Sequence, residues 1–237
     1  MDPISNQHIS HQFNAELENL RNMVMSMGGL VEQQIERAVK ALRKMDAAKA
    51  EKVVKTDHKV NAMEVNIDEE CARILARRQP AASDLRMVVT VIKTITDLER
   101  IGDEAEKIGR LAIRLSESDI TFKTKYAGIK HLGDYVRQMV SDALNAFARL
   151  DPDAALQVLR DDEQADEEYQ ALMRQLITYM MEDPRTITEV LDVVWVARSL
   201  ERIGDHAKNI SEYVIYMVKG KDIRHIDIEE IENDILS

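Results

Sequence analysis

Apolar residues along this chain recur at steps of three and four, the period of an α-helix. Residues from about 12 to 45 carry Phe13, Leu17, Leu20, Val24, Met27, Val31, Ile35, Ala38 and Leu42 on one such stripe. Gly28-Gly29 interrupts it at about 1 kcal/mol per glycine relative to alanine, which predicts a kink or a close helix crossing. Asp46 starts a turn, and a second helix is expected from about Ala48 to Arg77. Gln79-Pro80-Ala81-Ala82-Ser83 breaks the pattern, with Ser83 as N-cap and Asp84 in the first turn of a third helix that runs to about Leu115. The polar stretch Ser116 to Thr121 is the internal boundary, after which the scheme restarts. A helix from about Lys123 to Leu150, a turn at Asp151-Pro152-Asp153, a helix to about Met181, a break at Asp183-Pro184 and a helix from Ile187 to Val218 follow. The prediction is an all-α fold of two tandem antiparallel three-helix bundles, residues 12–116 and 123–219, with an acidic tail over 220–237 whose end is loosely held.

Composition agrees with that pattern and narrows the function. Aromatic residues make up 4% of the chain, with 8 Gly and 4 Pro, which favours long helices over sheet. A net charge of −11 argues against a nucleic-acid surface, which needs a clustered basic face. One cysteine, Cys71, rules out an internal disulfide framework and a thiolate metal site. The N-terminus has no basic region leading into an apolar one, no apolar run is long enough to span a bilayer, and the expected location is the cytoplasm. There is no glycine-rich phosphate loop and no serine or cysteine nucleophile constellation, so catalysis is not expected. Met23, Met25, Met27, Met180 and Met181 read as core packing.

The chemistry lies where acids interrupt the stripes. Leu-Glu-Arg-Ile-Gly-Asp occurs at Leu98–Asp103 and again at Leu200–Asp205, 102 residues later. Each copy puts two carboxylates four apart on one helix face, Glu99 with Asp103 and Glu201 with Asp205. On the preceding helices Asp57 with Asn61, and Asp162 with Asp166, take inward positions at the same spacing. In the first half the centres of the two pairs are equidistant from Pro80, and in the second from the Asp183-Pro184 break. Two hairpins would therefore set four oxygen-ligand pairs face to face. Crowded, partly buried carboxylates need a cation, either Arg100, Arg202 or Lys107 in an ion-pair network, or a metal. Oxygen ligands without His or Cys suit Mg²⁺, Mn²⁺ or iron. Gly102 and Gly204 leave room beside them. The Asn61 half, one acid short, is expected to bind more weakly.

At these residues the chain resembles the PhoU family, bacterial regulators of the phosphate-specific transport system. The resemblance covers nearly the whole chain. It rests on the repeated Glu-x-x-x-Asp motifs, on Asp162-x-x-x-Asp166, on Arg78-Gln79-Pro80-x-Ala82-x-Asp84-Leu85-Arg86 and on Tyr179-Met180-Met181-Glu182-Asp183. It implies a cytoplasmic homodimer with multinuclear metal sites. It further implies negative regulation of phosphate uptake and of the phosphate-starvation response, through the transporter's ATPase subunit and a sensor histidine kinase. Two other readings compete. A di-metal carboxylate enzyme would carry Glu-x-x-His motifs, but Gly102 and Gly204 stand at those places, and His206 points away as a surface or capping residue. A structural helical dimer would merely salt-bridge its acids.

Overall fold

The computed structural model describes residues 3–80, 82–117, 127–224, 226, 228, 230 and 231, with side chains from residue 12 onward. Its elements are α1 (Pro3–Lys44), α2 (Ala47–Thr56), α3 (His58–Arg78), α4 (Ala82–Ser116), α5 (Ala127–Arg149), α6 (Pro152–Glu182) and α7 (Ile187–Lys219), with a 3-10 turn at Pro184–Thr186 before α7. The all-α fold of two three-helix units is as expected. Of the boundary expected over Ser116–Thr121 only Ser116, which ends α4, and Glu117 are described; the rest of it, the helix start at Lys123 and the end of the tail lie outside the described residues.

The two halves turn their first corners in the same way. Met45 and Leu150 both take a left-handed conformation, at φ 50° and 56°. The next amides, of Asp46 and Asp151, each donate to a carbonyl five residues back, on Ala41 and Ala146, at 3.0 Å. Carbonyls left over by the helix end are thereby satisfied. Each aspartate then caps the next helix: Asp46 accepts from the Lys49 amide, and Asp151 from the amides of Asp153 and Ala154.

Three local expectations fail. The second predicted helix is two helices, α2 and α3, meeting at Asp57. Asp57 keeps helical dihedrals, but the Val60 amide reaches its carbonyl at 2.8 Å while the Asn61 amide is at 3.4 Å, and Thr56 Oγ1 donates to the Lys52 carbonyl at 2.6 Å. A threonine bonding back into the preceding turn bends the helix there. Ser83 is not an N-cap, because α4 already begins at Ala82, itself at φ 45°. Met181, expected in the core, is 78% exposed, and Leu85 and Ile187 at the starts of their stripes are also exposed.

One continuous apolar core runs through both halves, including Met27 and Ile35 of α1, Ile67 of α3, Leu98 and Ile108 of α4, Phe147 of α5 and Ile203 of α7. Burying a leucine or isoleucine of this kind contributes about 1.5–3 kcal/mol. The halves lie side by side, α1 packing on α5 and α4 on α7. Gly28 explains itself here: a Cβ on it would come 2.5 Å from Leu144 Cδ1, and one on Gly133 would come 2.9 Å from Val39 Cγ2. Glycine lets α1 and α5 cross closely at two equivalent points. Ile223 and Ile231 of the acidic tail are buried on the core.

Across the α4–α7 seam, Asp97 of α4 is buried and accepts from Asn209 Nδ2 at 3.1 Å, with His206 Nδ1 at 2.6 Å. His206 is therefore a partly buried seam residue and not a surface or capping one. Its partner lies 109 residues away, so no local spacing announced it.

Candidate functional site

The hairpins bring the acidic pairs together as the midpoints required. A Cβ on Gly102 would lie 3.4 Å from Asp57 Oδ1, and one on Gly204 3.7 Å from Asp162 Oδ1. Each mid-helix glycine thus floors a shallow dish. Asp57 and Asp162 are buried at the bottom. Glu99, Asp103, Glu201 and Asp205 form partly buried walls. Asn61 and Asp166, read from sequence as inward-facing, sit at the exposed rim. A residue four places after a floor position has turned about 40° beyond a full circle, and that rotation carries it from the hairpin contact to the edge.

In the first half, burial raises the Asp57 pKa, and the charges of Glu106 and Asp103 raise it further, while the amides of Gln34 and Asn61 oppose. Asp57 Oδ1 is nonetheless left without a hydrogen bond. Glu99 is raised by burial and by Asp103, against Arg100, with Glu64 and Asp57 adding to the rise. Arg100 lies 3.5 Å from Glu99 and 3.4 Å from Asp103, on the outer side where it is largely exposed. In the second half, burial and the Asp205 carboxylate push Glu201 from 4.5 up to about 7, against Arg198, and Asp166 and Asp162 add to the push. Its Oε2 is buried and unpartnered. Asp205 is raised by burial, Asp162 and Asp166, and Asp166 by burial and Asp162.

Of the cations expected to neutralise these acids, Lys107 and Arg202 do not serve: both bind Glu104, each at 2.9 Å. Sequence reasoning missed Lys208, whose Nζ donates to Asp162 Oδ2 at 2.8 Å. Burial pulls the Lys208 pKa down, and the Asp162 carboxylate, with the charges of Glu212 and Asp166, more than offsets it. It also missed Gln34 on α1, fully buried, with both amide atoms unpartnered and its Oε1 3.4 Å from the Cβ position of Gly102. The readable signal for Lys208 was register: it lies 102 after Glu106, as Asp205 lies 102 after Asp103.

The donor set fits a hard cation. Oxygen atoms converge on a glycine-floored dish, two buried carboxylate oxygens lack partners, and burial with repulsion from neighbouring acids raises the pKa of both groups that carry them. As placed, no three His, Cys, Asp or Glu side chains among the described residues form a ready grip on one ion. An ion would need rotamer changes at the walls and water to complete its shell. Cys71 is buried, its thiol pushed up to about 12, and takes no part.

Comparison with known proteins places this architecture. The PhoU domain model matches twice, over residues 24–112 and 129–214. The chain is 56% identical over 228 residues to the phosphate-specific transport system accessory protein PhoU homolog of Pseudomonas putida, spanning 96% of this chain and 89% of that one. It is 50% identical over 233 residues to the PhoU protein of Escherichia coli, spanning 98% and 96%. Among solved structures, PhoU from Pseudomonas aeruginosa superposes with a TM-score of 0.85 at 55% identity, covering 88% of this chain and all (100%) of that one. The phosphate transport system regulatory protein PhoU of Streptococcus pneumoniae follows at 0.82 and 30%, covering 89% and 98%. With a repeated domain match and identities of this size over nearly its whole length, the chain belongs to the PhoU family.

Proposed function

We propose that this protein is a metal-binding cytoplasmic adaptor that restrains phosphate uptake and the phosphate-starvation response. Its partners on this reading are the ATPase subunit of a phosphate transporter and a sensor histidine kinase, and it acts as a homodimer. The relatives named above, accessory and regulatory proteins of phosphate transport, support the regulatory part. No helix is long and apolar enough to cross a membrane among the described residues, in keeping with an adaptor.

The observation that carries the metal part is the pair of buried, unpartnered oxygens, Asp57 Oδ1 and Glu201 Oε2, each inside a cluster of acids brought together from two helices. Asp57, Glu99 and Asp103 with the Asn61 rim would hold one ion or cluster, and Asp162, Asp166, Glu201 and Asp205 the other. Mg²⁺, Mn²⁺ or iron would neutralise charge that the fold concentrates and only partly pairs. A cation would also change the surface. Glu106 and Glu201 are the ion-pair partners of Arg110 and Arg198, so drawing either acid toward a metal redirects an arginine on the outer face.

Elemental analysis of protein purified without added metal or chelator, beside Glu99→Gln/Glu201→Gln, tests the metal reading. Chelation should lower Tm by about 5–10 °C and Mn²⁺ or Mg²⁺ restore it, as saturation at 100 Kd adds about 2.7 kcal/mol. A melting curve indifferent to both would leave the ion-pair reading, which Lys208 on Asp162 already favours for part of the second cluster. Deleting the gene should switch on the starvation response in phosphate-rich medium. Normal repression in the deletion strain would remove the regulatory role.

A further inference from the structure

Five cationic side chains gather on the α4–α7 seam. A groove of about 600 Å³ there is lined by Lys107, Arg110 and Arg114 from α4 and by Arg198, Arg202 and Trp195 from α7. Glu104 is the one acid in its wall, and it is 2% exposed, held beneath Lys107 and Arg202. Five cations line a groove on a molecule with a net charge of −11. Trp195, the chain's only tryptophan, is 61% exposed there. A large aromatic left in water beside clustered arginines is the composition of an interface hot spot.

We infer that this groove docks an acidic segment of a partner protein. Two features of the groove select that occupant. On each wall the cations stand three or four residues apart, so their Cβ atoms repeat at about 5–6 Å along the seam. That spacing matches carboxylates on successive turns of an acidic helix better than the compact charges of a condensed phosphate. The groove also carries the exposed ring of Trp195, which a small anion would leave uncovered and an aliphatic side chain of a peptide would bury. The cations are positioned in advance. Arg110 is paired with Glu106 at 2.6 Å and Arg114 with Asp192 at 2.8 Å, and Arg198 is paired with Glu201, so the guanidinium groups are oriented before docking. The inference takes from the adaptor reading only that a partner protein exists. It does not need the metal sites.

The test uses the whole chain in chelator and a synthetic helical peptide with Glu at every fourth position and Leu on the adjoining face. Trp195 itself reports, because no other tryptophan contributes to the emission. Peptide addition should shift and saturate that emission, and affinity should fall about tenfold between about 50 and 300 mM salt. Arg114→Glu should weaken binding about tenfold. Trp195→Ala, followed by fluorescence anisotropy of labelled peptide, should do likewise, and Trp195 is exposed enough to leave the melting temperature in place, so it keeps the test independent of any destabilisation that Arg114→Glu causes at Asp192. Unchanged emission overturns the inference, as does affinity equal to the parent's in both variants. Saturable binding of ATP or inorganic phosphate at this site with no peptide binding would overturn it in favour of a small anion. Mn²⁺ titration of the same protein reads the metal proposal separately, so either can fail alone.

Discussion

At position 106 the first half carries a glutamate, and at the matching position 208 the second half carries a lysine. On α1 and α5 the matched pair is Gln34 and Met139, each reaching toward the glycine that floors its dish. The frames are otherwise alike, yet these two positions give the clusters different electrostatics. In the second half an ammonium of the chain's own reaches the buried Asp162 at 2.8 Å. In the first half Glu106 adds repulsion to Asp57, and Gln34 places two unpartnered amide atoms nearby. An internal repeat reproduces backbone geometry faithfully, while a single side chain decides whether a buried acid finds its cation inside the protein or must take one from solution. The ranking expected from Asn61 alone is therefore opposed by Lys208, which an ion in the second half must displace from Asp162.

The largest expected effect concerns Glu201. Its folded pKa, about 7, lies above the ordinary 4.5, so the folded state holds its proton more tightly than the unfolded chain does. Stability of the metal-free protein should then be highest below about pH 4.5 as far as this group is concerned. It should fall as pH rises, by up to about 3 kcal/mol once above about pH 7. Urea denaturation at pH 5 and pH 8 should show that slope in the parent and a much flatter one in Glu201→Gln. Equal slopes would remove Glu201 as the strained acid of the second half.

A sharper comparison comes from two matched substitutions with opposite expected signs. Asp57→Asn removes an unpaired buried charge and should raise metal-free stability at pH 7.5 by about 1 kcal/mol. Asp162→Asn leaves Lys208 without its partner and should lower stability by about 1–2 kcal/mol. Thermal melts in chelator decide it, and shifts of the same sign would mean that the clusters are electrically equivalent after all.

The smallest effect separates the two glycines. Replacing a mid-helix glycine with alanine gains about 1 kcal/mol of helix propensity where space allows. At Gly204 the nearest atoms to a Cβ are 3.6–3.7 Å away, ordinary contact, so Gly204→Ala should stabilise. At Gly102 they are 3.3–3.4 Å away, including Asp57 Oδ1 and Gln34 Oε1, so Gly102→Ala should gain little or nothing in chelator. Equal gains at both would show that the first dish is roomier than its geometry indicates.

Helices, their order and the facing of the acidic pairs were legible in the sequence because each depends on short-range period and on distance from a turn. The stripe from Leu17 to Leu42, the turns at Asp46 and Asp151 and the level of Asp57 with Gly102 are of this kind. What the chain order could not express are contacts between elements far apart in it. Tertiary packing alone decided that the halves lie side by side along α4 and α7, and that His206 meets Asp97. It also decided that Lys107 and Arg202 turn to Glu104 and leave Asp162 to Lys208. A long cationic side chain can reach several acids from one backbone position. Which acid it meets depends on the neighbouring helix, and the repeat in this sequence sets that helix's position without setting its charges.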